Sequence, residues 1–179
     1  LLESIIINKA INPKTLLVGD RNAIVIAARV SGYGNIYSTS ITCRGCITEQ
    51  KHNFDLNQAQ VVTSTHIGQK ISDVIEVLDN GNYAVVLPKS QLKIEMRLLT
   101  GRDEQMLTGQ LEQNKKQNSE KLITTQLVHM IYSVNGNNTK EAIDHVSHNL
   151  PSADSAFLRK VYKTIVPNVE LSLDFNCSH

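Results

Sequence analysis

The stretch Val74-Ile75-Glu76-Val77-Leu78-Asp79-Asn80-Gly81-Asn82-Tyr83-Ala84-Val85-Val86-Leu87-Pro88-Lys89-Ser90-Gln91-Leu92-Lys93-Ile94-Glu95-Met96-Arg97-Leu98 decides the fold class. Its first run, Val74 to Leu78, has the composition of a strand. Asp79-Asn80-Gly81-Asn82 follows, and Asn-Gly suits the positive φ of a hairpin turn. Tyr83 to Leu87 returns, and Pro88-Lys89-Ser90 marks a second turn. Leu92, Ile94, Met96 and Leu98 then alternate with Lys93, Glu95 and Arg97. That period of two belongs to a strand with one buried and one wet face. The reading is an antiparallel meander.

Upstream, Val18-Gly19-Asp20-Arg21-Asn22 opens a helix that runs to Val30, with Asp20 as N-cap and Ser31-Gly32-Tyr33-Gly34 as its stop. Residues 1 to 11 are apolar and end before Pro13; a helix and a strand fit them equally. Ile36 to Thr42 and Ile47 to Phe54 read as strands around the turn Cys43-Arg44-Gly45-Cys46. Residues 57 to 73 read as a mixed connector with a short helix early.

Downstream of Gly101 the pattern is helical. A polar helix covers 102–117. A second starts at Ser119 and carries Leu122, Ile123, Leu127, Met130, Ile131 and Val134. Thr139 caps a third, to Asn149. Ser152 caps a last one, with Phe157, Val161 and Ile165 one turn apart before Pro167. Val169, Leu171, Leu173 and Phe175 then alternate with polar residues and lead as a strand to Cys177. This order gives an α+β fold: antiparallel strands with a Cys-knuckle hairpin, a C-terminal helical cluster and a final strand. The reading is a single domain over 1–179. Residues 1–100 are mainly β with one N-terminal helix, 101–167 form a helical lobe, and 168–179 return as a strand to the Cys knuckle. No internal repeat or low-complexity segment is visible.

The chain has 179 residues, 41% of them hydrophobic but only 4% aromatic, with no Trp. Its core is therefore built from Ile, Leu, Val and Ala. A net charge of +1 and so few aromatics speak against a nucleic-acid surface. No apolar run reaches the length of a membrane span. The start, Leu1-Leu2-Glu3-Ser4, lacks the basic region of a signal peptide and reads as trimmed. Three cysteines, an odd number, fit an intracellular protein better than a secreted disulfide framework. No Gly-x-Ser-x-Gly elbow and no phosphate-binding loop is found, and Gly32-Tyr33-Gly34 is a helix stop, not a nucleotide fingerprint. Nothing in the chain supports an enzyme.

Cys43-Arg44-Gly45-Cys46 has the spacing with which two thiolates grip one zinc ion at about 2.3 Å. Cys177, at the end of the last strand, is the third ligand. Four are needed. His179 stands two residues on, though C-x-H is an awkward spacing for joint ligation; a Cys at position 180 would complete a second C-x-x-C; His52 is a further donor. A redox pair would need the motif at a helix start after a strand. Here the flanks read as strands, so a structural metal is the leading reading, ahead of free thiols and of redox chemistry.

A series of motifs then carries a family resemblance. It runs through Val18-Gly19-Asp20-Arg21-Asn22-Ala23-Ile24, Ala28-Arg29-Val30 and Gly32-Tyr33-Gly34 to the Cys pair. It continues with Leu98-Leu99-Thr100-Gly101-Arg102-Asp103-Glu104 and Ile131-Tyr132-Ser133-Val134-Asn135-Gly136. It ends with Leu150-Pro151-Ser152-Ala153-Asp154-Ser155 and Leu158-Arg159-Lys160-Val161-Tyr162, then Pro167. From about residue 15 onward the chain resembles the baseplate hub and hub-assembly proteins of T-even-type contractile-tailed bacteriophages. The family pattern carries a Cys pair after the first helix and a second at the C-terminus, of which one member is present here. The resemblance implies a non-enzymatic part in building the tail baseplate hub, with other baseplate and tail hub proteins as partners and the virion tail, assembled in the host cytoplasm, as its place. The alternative is a zinc-ribbon-like nucleic-acid-binding module with Arg44 at its tip.

Other residues have plainer readings. Asp20, Arg21 and Arg29 serve capping and surface pairing, and Arg102, Asp103 and Glu104 form a solvated helix start. Asp154 and Arg159 have an internal role. His145 and His148 are surface residues, and His66 carries no signal.

Overall fold

The alternation from Leu92 to Leu98 resolves into an antiparallel sheet whose apolar face is the core. The computed structural model describes residues 2–62, 74–113, 119–171, 175 and 177. In chain order the first elements are α1 (Leu2–Ile5), a 3-10 turn (Pro13–Thr15), α2 (Val18–Tyr33), β1 (Ile36–Thr42) and β2 (Glu49–Asp55). A second 3-10 turn (Leu56–Gln58), β3 (Gln60–Val62), β4 (Ile75–Val77), β5 (Tyr83–Val86) and β6 (Lys93–Met96) follow. The rest are α3 (Gly101–Gln113), α4 (Ser119–Met130), β7 (Ile131–Val134), α5 (Lys140–Asn149), α6 (Ser152–Ile165) and β8 (Asn168–Glu170). The fold is α+β. Its antiparallel strands form a sheet of order β4-β5-β6-β7 and two ribbons, β1-β2 and β3-β8. Residues 1, 63–73, 114–118, 172–174, 176, 178 and 179 lie outside the described residues, and with them parts of the expected connector, polar helix and final strand, as well as His66.

Ile75, Val85, Ile94 and Val134 oppose one another across the large sheet, and Tyr83, Met96 and Ile131 form the next row. All seven are buried. Leu127 and Met130 of α4 and Leu158, Val161 and Ile165 of α6 complete the core. The apolar stripe of α6 holds Val161 and Ile165 as expected, but Leu158 is fully buried at its start while Phe157 is only partly so.

The second downstream helix is shorter than expected. It ends at Met130, and Ile131–Val134 pairs with β6 instead. Leu127, Met130, Ile131 and Val134 have helical spacing, yet a β-branched and aromatic run before Asn-Gly also suits a strand. Pairing satisfies the outer edge of β6, whose amides and carbonyls would otherwise lack partners. Asn135 (φ 50) and Gly136 (φ 81) are both left-handed, as a type I′ turn requires. Asn135 Oδ1 accepts the Lys93 N–H at 2.8 Å and extends the ribbon.

Two carboxylates fix the helices to this sheet. Asp154, fully buried in the first turn of α6, accepts the N–H groups of Lys89 (2.9 Å) and Ser90 (2.8 Å) in the β5–β6 turn. Burial disfavours its charge, but these two amides hold its carboxyl below the ordinary value. Ser152 does not cap α6; the N-cap is Pro151, with no side-chain bond. Likewise α2 begins after Leu17, and Asp20 lies inside its first turn, where an acid suits the helix dipole.

At the start of α3 Arg102 and Glu104 are exposed as expected, but Asp103 is not solvated. Asp103 is buried and takes both ends of the Arg97 guanidinium, at 3.0 and 2.8 Å. It also accepts the N–H and the hydroxyl of Thr100 at 2.8 and 2.7 Å. Despite burial, these donors hold its carboxyl well below the usual range. Glu104 pairs with Arg21 at 2.7 Å. Arg21 lies across Gly101, where a Cβ would collide with the guanidinium. Arg29 donates to the carbonyls of Gly34 (2.8 Å) and Ile36 (3.2 Å) beyond the end of its helix.

The first turn of α2 touches the end of α6. A Cβ on Gly19 would fall on the backbone carbonyl of Pro167, which cannot swing aside as a side chain can. Gly19→Ala should therefore destabilise the protein by about 3 kcal/mol. Gly109→Ala, at a helical position with open space around it, should stabilise by up to about 1 kcal/mol. Urea unfolding of both variants checks the contrast. Asp154→Asn should cost about 2 kcal/mol at pH 7. The folded-state pKa is depressed, so the wild-type advantage is full above the ordinary value of 3.8 and is lost as pH falls through the folded value. Unfolding curves at pH 7 and pH 3 test this; an equal gap at both would contradict it.

Candidate metal centre

β1 and β2 pair without a break from Ile36↔Asp55 to Thr42↔Glu49, so the loop 43–48 closes at a fixed width. Cys43 N–H donates to Thr48 O at 3.0 Å and Ile47 N–H to Cys43 O at 2.9 Å. These two bonds fold the loop back on itself and bring both thiols to one side. Gly45 runs past the Cys43 sulfur, 3.8 Å from where its Cβ would be. The fold-back places Ile47 in the left-handed region (φ 59), rare for a β-branched residue, with 81% of its surface exposed.

The third thiol arrives from the other end of the chain. β8 pairs with β3, and beyond it Phe175 and Cys177 lie along one face of β2. Gln50 and His52, two apart, share that face. Gln50 Nε2 donates to Cys177 Sγ at 3.0 Å. The His52 ring stands edge-on to Phe54 (4.6 Å) and Phe175 (5.4 Å).

The sulfurs of Cys43, Cys46 and Cys177 lie within 4.8 Å of one another, and the last two are 3.5 Å apart. A disulfide needs about 2.05 Å, and none of the three cysteines forms one. Tetrahedral ligation at about 2.3 Å puts sulfurs about 3.8 Å apart. The donor set therefore fits a metal such as zinc. The Cys46 thiol is lowered to about 7: the Thr48 hydroxyl, the Thr48 N–H and the Cys177 thiol stabilise its thiolate, against a small opposing effect of burial. Thiolate is the form a metal takes up.

The cluster thus unites Cys43, Cys46 and Cys177. His52 is not part of it, its ring being packed between phenylalanines. His179 lies outside the described residues. Gln50 was not singled out in the sequence, although its place two residues before His52 put it on the same face. Strands flank the Cys pair on both sides, whereas thioredoxin-like redox motifs open a helix. Among the described residues no other group of His, Cys, Asp and Glu has metal-binding spacing. His148 Nδ1 lies 2.7 Å from the Asp144 carbonyl. No helix among the described residues is long and apolar enough to cross a membrane.

No curated protein and no solved structure shows significant similarity to the chain. A family model described as T4 bacteriophage base plate protein matches residues 1–179, so the expected resemblance extends over the whole length. The α+β chain with its three-thiol cluster belongs to the T4 bacteriophage base plate protein family.

Proposed function

We propose that this protein is a non-enzymatic structural or assembly component of the phage tail baseplate hub, stabilised by one zinc ion. The match to the base plate family over residues 1–179 carries the reading. Its partners are other hub and tail proteins, met in the host cytoplasm during assembly and held in the tail of the virion. The chain acts as one domain. Cys43, Cys46 and Cys177 supply three thiolates, and His179 the fourth ligand. When bound, zinc ties the tail to the knuckle; Gln50 steadies the Cys177 sulfur, and Thr48 keeps Cys46 ready as thiolate. A site of this kind serves rigidity, and the partner contacts do the assembling.

Native mass spectrometry should find one zinc per chain and no disulfide. Chelation should lower Tm by about 10 °C, the shift that roughly 3 kcal/mol produces in a domain of this size. Cys177→Ser should abolish binding, and His179→Ala should weaken it. A metal-free Cys43–Cys46 disulfide in the native protein would overturn the zinc assignment. For the assembly role, affinity capture of the tagged chain from infected cells should recover tail proteins in fixed ratio. Recovery of none would refute that half of the reading.

A further inference from the structure

The helical side of the molecule holds a pocket of about 340 Å³ that the metal centre does not use. It opens where the loop after β6 meets α3, α4 and α6. Leu99, Leu107 and the buried Met130 give it apolar walls. Tyr162 is fixed there, because its hydroxyl accepts the Leu99 N–H at 3.0 Å. The volume suits one or two large apolar side chains.

The rim is charged with one sign. Arg159 and Lys163 are exposed, line the pocket and stand four apart on α6, hence on one face. Arg159 gives its Nε to the Ser155 carbonyl at 3.4 Å. Among the described residues neither cation is paired with a carboxylate, and none of the lining residues is acidic.

The geometry points to this pocket as the seat of an acidic amphipathic helix of a partner polypeptide. One large apolar side chain fills the hole, and carboxylates beside it meet Arg159 and Lys163. The spacing carries the match: cations four apart on one helix face carboxylates four apart on another. A nucleic acid would need a broader basic surface and would gain nothing from the apolar walls. The inference rests on the reading of the chain as an assembly component, and it adds where a partner docks and what that partner presents.

The test uses the isotope-labelled full chain and three short synthetic helical peptides. One carries leucines on one face with glutamates beside them, one has lysines for the glutamates, and one has serines for the leucines. The leucine–glutamate peptide should shift the amide signals around Leu99, Leu107 and Tyr162; the others should bind far more weakly. The double variant R159E/K163E changes two exposed residues and leaves the fold intact. It should bind the acidic peptide about tenfold more weakly, the scale of two exposed ion pairs, and turn its preference to the lysine peptide. Equal response to all three peptides, shifts mapping elsewhere, a single-stranded oligonucleotide that moves the same signals, or an unchanged double variant would each overturn the docking site. Capture from infected cells separates the two readings. If wild type and double variant recover tail proteins equally, the pocket proposal falls and the baseplate reading stands. If wild type recovers none while the acidic peptide binds as described, the baseplate reading falls alone.

Discussion

The close approach of Pro167 to Gly19 governs where the end of the chain goes. α6 must leave the core after Ile165, and the backbone that follows rests on the bare Cα of α2's first turn. From there β8 can reach β3, which lies just beyond the β1–β2 ribbon. That path delivers Phe175 and Cys177 to the face of β2. A side chain at position 19 would displace the carbonyl of residue 167, just before β8 begins.

Polar contacts settle the positions that apolar packing leaves free. The core needs α6 against the sheet, but apolar burial is non-directional and does not by itself specify a backbone partner. Asp154 removes that freedom, because its two acceptors meet two particular amides of one turn. Arg97 and Asp103 do the same for α3, joining the end of β6 to the first turn of the helix. Leu16 and Val18 bond the backbone of Gly101 and Leu99, so the starts of α2 and α3 are held as a pair. Each of these links runs to main chain or is bidentate, which gives it direction as well as strength.

The sequence was most legible where the signal was local. The alternation of Leu92 to Leu98, the turns at Gly81 and Pro88 and the Thr139 cap are each read within a few residues, and each is present. The helix stop at Gly34 is present too, at φ 80, although α2 runs on through Ser31, Gly32 and Tyr33 past the expected end at Val30. The failures involve partners that no local pattern announces. Asp154 looks like any acid in a first turn until the β5–β6 amides, more than sixty positions earlier, are placed beside it. Asp103 looked solvated because nothing nearby in sequence announces that Arg97 turns back onto it. Ile131 to Val134 satisfied two periods at once, and the free edge of β6 decided between them. At the thiol cluster, the residue types and the tail's destination were readable. That the His52 ring is taken up by Phe54 and Phe175 could be seen only in three dimensions.

The distance along the chain between Cys46 and Cys177, 131 residues, has a consequence in time. The knuckle hairpin consists of sequence neighbours and can close within microseconds once it leaves the ribosome. At ordinary rates of synthesis the third thiol follows on the order of 10 s later. Throughout that interval the nascent chain carries two thiols in a finished turn, with no third thiol beside Cys46. Until the tail arrives the two thiols have only each other within reach, and the reducing capacity of the surrounding compartment during translation governs how many chains reach the three-thiol state.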